Sequence, residues 1–110
     1  MPGLHWSESE KKIARRAFDR AANALLTQTI DEFKAKAAAV AKPEDLWALQ
    51  DDLRERRHHI EALLDYRYSQ LTHVFGLLIA QGHLTEQQLE DLAEDKLALI
   101  RRTLAWCKAA

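Results

Sequence analysis

The sequence predicts an all-α protein, and three observations carry that prediction. Apolar residues recur by threes and fours, as in Leu46, Leu49, Leu53, Ile60, Leu63 and Leu64, the spacing of a helix with one buried stripe. Sustained alternation of apolar and polar residues, the strand signal, is absent. The three Gly and two Pro of the 110 residues stand mainly where a helical chain needs punctuation: Pro2 and Gly3 in the tail, Pro43, and Gly82. Gly76 alone falls inside an element. The length suits one domain, residues 1–110.

After a tail over 1–7, the first helix opens at Ser7. Glu10 three residues on completes a capping box, in which each side chain satisfies the other's backbone N–H. Nothing breaks the pattern before Lys42-Pro43, so the helix is predicted over about 8–40. Pro43 at a first helical position, followed by Glu44 and Asp45 at the positive end of the dipole, starts a second helix over about 44–65. The stretch LLDYRYSQL leaves two readings open, a bend or a continuous helix. A third helix over about 69–81 is densely apolar in VFGLLIAQ and stops at Gly82, suited to a left-handed cap. Thr85 and Gln88 form a second capping box, with Leu84 opposite Leu89 as a staple, and start a last helix over about 85–108.

The first helix is too long for its own domain. About 33 residues at ~1.5 Å each give a rod near ~50 Å, whereas a compact chain of this size is about 34 Å across. Along its second half Leu26, Ile30, Phe33, Ala37 and Val40 follow a 4-3-4-3 spacing, a narrow coiled-coil-like seam. Ala14, Phe18, Ala21 and Leu25 make an earlier seam shifted by one position. The remaining helices cannot cover both. The 26–40 seam, continued by Leu46, is expected to be a two-fold homodimer interface. The competing expectation is a self-contained bundle with a bent first helix.

Composition and motifs exclude several classes. The chain is 47% hydrophobic and 30% charged, with 16 Lys and Arg against 17 acids. That balance argues against a general nucleic-acid binder. No leader pattern and no apolar run of membrane-spanning length occur, and a lone Cys107 fits a reducing cytoplasm. No membrane span, no cofactor and no metal are expected. Glu55 and His58 have the Glu-x-x-His spacing of di-iron bundles, but there is no second copy and the pair points away from the leucine stripe. His58 and the adjacent His59 diverge by 100° and belong in solvent. Catalytic triads, phosphate-cradling loops and paired acids have no signature, so the chain is not expected to be an enzyme. Lys11, Lys12, Arg15, Arg16 and Arg20, interspersed with Glu8, Glu10 and Asp19, read as a solvated face. His73, beside Val74 and Phe75, is expected to be partly buried, and Trp6 and Trp106 to patch the core.

Trp47 fits none of these roles. It lies roughly 140° round the helix from the centre of the leucine stripe, among Gln50, Asp51, Arg54, Arg57 and His58. A large aromatic among charges, on a helix that already has an apolar face, reads as an anchor for another protein, since Trp and Arg dominate interaction hot spots.

The run Asp45-Leu46-Trp47, Leu49, Asp51, Leu53, Arg57-His58 and Ile60, with Tyr66, Arg67, Phe75, Gln81-Gly82 and Asp95-Lys96, resembles the cyanobacterial fluorescence recovery protein family. The likeness is most specific over residues 44–82. It implies an all-helical homodimer that binds the C-terminal domain of photoactivated orange carotenoid protein and speeds its return to the resting orange form. Quenching of the phycobilisome antenna then ends. By resemblance, the family's functional Trp, Asp and Arg correspond to Trp47, Asp51 and Arg57, and its dimer contacts to Ile30, Val40 and Leu46. A family His, Phe and Lys at contact positions are Gln50, His73 and Leu99 here. The expected partner-binding set is therefore Trp47, Gln50, Asp51, Arg54, Arg57 and His73. The dimer set is Leu26, Ile30, Phe33, Ala37, Val40 and Leu46. The expected location is the cytoplasm, with a thylakoid-associated client in a cyanobacterial host. The alternative expectation is a homodimeric helical adaptor or scaffold with a different client, in a bacterium lacking phycobilisomes.

Overall fold

The computed structural model describes residues 4–109, and every described element is helical. Four α-helices occur: α1 Glu8–Ala38, α2 Pro43–Leu63, α3 Leu71–Ala80 and α4 Glu94–Ala109, with a single 3₁₀ turn at Glu86–Leu89. The all-α expectation holds. The molecule measures 53 × 28 × 24 Å with a radius of gyration of 16.8 Å, above the roughly 13 Å of a compact chain of this length. The excess comes from α1. Its 31 residues form one unbroken helix of about 46 Å.

One end of the rod carries a head. There the first half of α1 packs against α3, the 3₁₀ turn and α4. The core comprises Ala14, Ala17, Phe18 and Ala21 of α1, Leu71, Val74, Phe75 and Leu78 of α3, Leu89 and Leu92 around the 3₁₀ turn, and Ile100 and Leu104 of α4. Small alanines on α1 let α3 approach closely. Gly76 does the same for α4, since a Cβ there would sit 2.6 Å from Cβ of Thr103.

The other end is a stem in which α2 folds back along the second half of α1. α1 starts on the predicted capping box, whereas α2, expected to start on Pro43 with Glu44 and Asp45, also has a box that the sequence reading did not name. Ser7 Oγ accepts from Glu10 N–H at 3.1 Å while Glu10 accepts from Ser7 N–H at 3.0 Å. At α2 the box is inverted in emphasis: Asp45 accepts the backbone N–H groups of both Ala41 and Lys42 at 3.1 Å, and Pro43 occupies the first turn. Gly82 has φ of +83°, the left-handed cap expected after α3.

Several boundaries differ from the sequence reading. The first helix ends at Ala38 rather than near 40, because Ala39 and Val40 N–H already turn back to Lys36 and Ala37 carbonyls ahead of Pro43. The last helix does not run from Thr85. The Thr85–Gln88 box caps only the 3₁₀ turn, and α4 restarts at Glu94. Glu10 of α1 explains the interruption: its second carboxylate oxygen accepts Ala93 N–H at 3.0 Å, pinning the start of α4 to the start of α1. LLDYRYSQL bends. Leu64 closes α2 with φ −83° and ψ 65°, Arg67 clamps Asp65 through two hydrogen bonds to Oδ2 at 2.6 and 3.0 Å, and the two tyrosines turn inward. Tyr66 meets Phe18 edge-on at 4.8 Å and Tyr68 meets Trp6 at 5.6 Å.

The tail is part of the head from Trp6 onward. Trp6 is buried, as expected, but Trp106 is 66% exposed rather than patching the core. Its place on α4 puts it roughly 120° from the Ile100–Leu104 face.

Candidate protein-docking face on the stem

No residue of α2 is buried. For a 21-residue helix that is an unusual state, because helices in proteins are stabilised mainly by burying an apolar stripe. The stripe exists: Leu46 is 49% exposed, Leu53 is exposed, and Leu49, Ile60 and Leu63 are half-buried against α1. On α1, Ile30 is 53% exposed, Leu26 and Phe33 are also exposed and Ala37 is half-buried, as is Val40 just beyond the helix end. The six seam residues thus form one apolar surface along the stem. Within the chain the two stem helices are joined by Lys36–Asp52 at 2.5 Å, both exposed, and by Arg56–Glu32 at 3.2 Å, both half-buried. Pairs of that kind contribute about 0–1 kcal/mol each. A cavity of about 260 Å³ between the helices, lined by Phe33, Leu49 and Leu53 beneath this ion-pair layer, leaves their packing incomplete.

Round the helix from this surface stands Trp47, with an indole 60% exposed. One turn on is Asp51, and Arg54 and His58 continue the same face by the helical step. All are exposed, and among the described residues neither Asp51 nor Arg54 has an ion-pair partner. Gln50 and Arg57 lie on the flank of that face, towards the apolar stripe. Arg57 Nε donates to Glu61 one turn along at 2.6 Å, an exposed pair that holds the guanidinium extended and that a competing carboxylate could replace at little cost. The result is an aromatic plate beside one free carboxylate and two accessible guanidinium groups, able to bury area and to form charge-assisted hydrogen bonds at once.

The structure brings five of the six expected partner-binding residues together on α2. It does not bring His73 to them. His73 is on α3 in the head, and it is exposed rather than partly buried; its ring Nδ1 lies 3.5 Å from Thr103 Oγ1.

Glu55, His58 and His59 are all exposed, and among the described residues no three His, Cys, Asp or Glu side chains gather closely enough to hold a metal. No helix among the described residues is long and apolar enough to cross a membrane.

Comparison with known proteins gives this arrangement a family. The family described as photoprotection regulator fluorescence recovery protein matches residues 6–104. The chain belongs to the fluorescence recovery protein family. The fluorescence recovery protein of Synechocystis sp. is 32% identical over 96 residues, covering 87% of this chain and 88% of that protein. Among solved structures, that of the Fremyella diplosiphon fluorescence recovery protein has a TM-score of 0.86 at 35% identity, covering 92% of this chain and 99% of the other. The structure from Synechocystis sp. PCC 6803 also gives 0.86, at 31% identity with the same coverage. The likeness therefore includes head and stem together, and the family is one of photoprotection regulators.

One buried pair in the head of this chain was not found by sequence reasoning as a pair. Lys96 is 3% exposed and donates to Glu10 at 3.2 Å, with the His5 carbonyl as a further acceptor and the Trp6 ring 5.5 Å away. Burial pushes the Glu10 carboxyl upward, but the N–H groups of Ala93 and Ser7 and the Lys96 ammonium outweigh it and bring its pKa down to about 2. Burial likewise lowers Lys96, and Asp95 and Glu10 outweigh that, raising it above the ordinary lysine value. A lysine at a core-facing step of an otherwise apolar α4 stripe, with Ile100 and Leu104, was the available signal.

Proposed function

We propose that this chain acts as a homodimer that binds the C-terminal domain of photoactivated orange carotenoid protein and accelerates its return to the orange resting state, ending phycobilisome quenching. The carrying observation is the 60% exposed indole of Trp47, on a helix that buries nothing within its own chain, in a family of photoprotection regulators. A second copy covering Leu26, Ile30, Phe33, Ala37, Val40 and Leu46 supplies the burial that α2 lacks, at roughly 25 cal/mol per Å² of apolar surface. Trp47 and the flank of α2 then remain outward for the client.

Trp47 and Arg57 are the anchors: the indole fills an apolar pocket on the client, and the guanidinium exchanges Glu61 for a client carboxylate. Asp51 orients the client through a donor, with Gln50 and Arg54 at the margin and His73 contributing from the head. Acceleration needs no covalent chemistry. A dimer that holds the two separated domains of the client side by side makes their recombination effectively intramolecular. The closed product must be held less tightly than the recombining arrangement, or turnover would stop. Such a regulator works in the cytoplasm, on a client at the thylakoid-associated antenna.

A second reading, a dimeric adaptor for another client, is favoured by one observation: Gln50, His73 and Leu99 stand where the resemblance places His, Phe and Lys. The two separate in a direct binding test. Purified C-terminal domain of orange carotenoid protein is mixed with the wild-type chain or with Trp47→Ala and run through size exclusion with light scattering. Co-elution with the wild type and its loss in the variant supports the proposal; no co-elution with the wild type selects the adaptor.

A further inference from the structure

The early basic stretch of α1, interspersed with Glu8, Glu10 and Asp19, was expected to be a solvated face, and its cations are largely exposed. The structure removes those acids one by one. Glu10 is turned into the core and held by Lys96. Glu8 is engaged by Lys11 at 3.5 Å and Asp19 by Arg15 at 3.4 Å. Lys11 and Arg15 are further directed onto aromatic rings, Lys11 over Tyr68 at 5.6 Å and Arg15 over Tyr66 at 4.7 Å. What remains is Lys12, Arg16 and Arg20: all exposed, and without an ion-pair partner among the described residues.

These three are spaced by four, so they form one ridge about 12 Å long, roughly 150° round the helix from the Ala14–Ala21 core face. Like charges at that spacing repel as much as an ion pair at the same spacing gains. Residues 8–20 therefore present four exposed cations and a half-buried Lys11 against two exposed acids, within a chain whose formal net charge is −1.

From this ridge we infer a second docking surface, whose occupant is an acidic surface of the same protein client that the Trp47 face receives. The inference rests on the proposed function for the client's identity. Charge complementarity points to a row of carboxylates. Three cations on a chain of net negative charge are too few for a nucleic-acid footprint. The neighbouring positions on the ridge face, Ser9, Asn23 and Thr27, offer no apolar group to insert into a membrane. Two-fold pairing also puts the ridge where a client can reach it. With the axis at the middle of the seam, near Phe33, Trp47 lies roughly 10 Å from the centre, since Ala48 shares a groove with Ala39 and Val40. The partner's Arg20 falls about 20 Å from the centre towards the same end. One client spanning about 10–20 Å touches the indole of one protomer and the ridge of the other.

The test compares the wild type with the triple variant K12E/R16E/R20E, after circular dichroism and light scattering establish unchanged helicity and mass. The dark red-to-orange reversion of photoactivated orange carotenoid protein is timed at about 0.01 M and about 0.15 M salt, where the screening lengths are ~30 Å and ~8 Å. Wild-type acceleration should fall with salt, and the variant should be slower by about 10-fold at low salt with a flat or inverted salt response. Identical salt curves for the two proteins would overturn the ridge. A wild type that gives no acceleration at either salt overturns the client reading itself. The ridge is then read separately by titrating the wild type with poly-L-glutamate and following backbone amide shifts. Shifts confined to residues around 12–20 support an acidic protein surface. Their absence overturns it, as does tighter binding to phosphatidylglycerol vesicles or to duplex DNA at physiological salt.

Discussion

Trp47 and Glu10 are opposite cases of a residue out of its usual place, one apolar and exposed, the other charged and buried. The indole at Trp47 stabilises nothing within the chain, so Trp47→Ala should change folding stability by less than about 0.5 kcal/mol, while client acceleration falls at least ~30-fold, the scale of a hot spot. Arg57→Leu should behave alike, since the Glu61 pair it loses is exposed and weak. Denaturation curves alongside reversion rates check both. Glu10 should do the reverse. Its folded pKa of about 2 lies below the ordinary glutamate value of 4.5, so the unfolded chain takes up its proton first on acidification. Its stabilising contribution is complete above about pH 4.5 and is lost as pH falls towards about 2. Glu10→Gln should flatten stability over that window and cost about 3 kcal/mol at neutral pH, because the buried Lys96 then keeps only the exposed Asp95 as a counter-charge. Urea midpoints at several pH values measure it.

At the scale of elements, α1, α2 and α3 were legible in the sequence because their signals are local: Ser7 with Glu10, Pro43 with Asp45, and Gly82 each act within one turn. The last helix was misread for the opposite reason. Thr85–Gln88 is a genuine capping box, but what interrupts the chain after it is Glu10, from the other end of the sequence, binding Ala93 N–H. A contact across 83 residues leaves no periodic trace. Trp106 and His73 were misplaced similarly, since helical spacing gives a face but not which neighbour covers it. Gly76 marks where α3 and α4 are closest. Gly76→Ala would place a Cβ 2.6 Å from Thr103 Cβ and Cγ2, and no flexible chain end is there to yield. Forcing the helices apart should cost about 1–3 kcal/mol, read as a lowered thermal midpoint with the dimer retained.

For the molecule as a whole, the length mismatch computed from helical rise alone reappears as the 53 Å long axis, with a compact head at one end and a stem whose apolar seam faces outward. Residue spacing picked out the seam and the face carrying Trp47; assigning roles to Asp51 and Arg57 took the family resemblance. If a second copy supplies what α2 lacks, Ile30→Asp with Leu46→Asp should give a monomer by light scattering and lower the helical content, because α2 then keeps only its half-buried contacts with α1. A dimer that persists with full helicity would place the interface elsewhere.

The most direct measurement of the central claim is the dark reversion of photoactivated orange carotenoid protein, timed with the wild-type protein and with a Trp47→Ala protein of the same mass and helicity. The account predicts rapid return to orange with the first and a rate close to the unassisted one with the second. Equal acceleration by both would show that the exposed indole on α2 is not what holds the client.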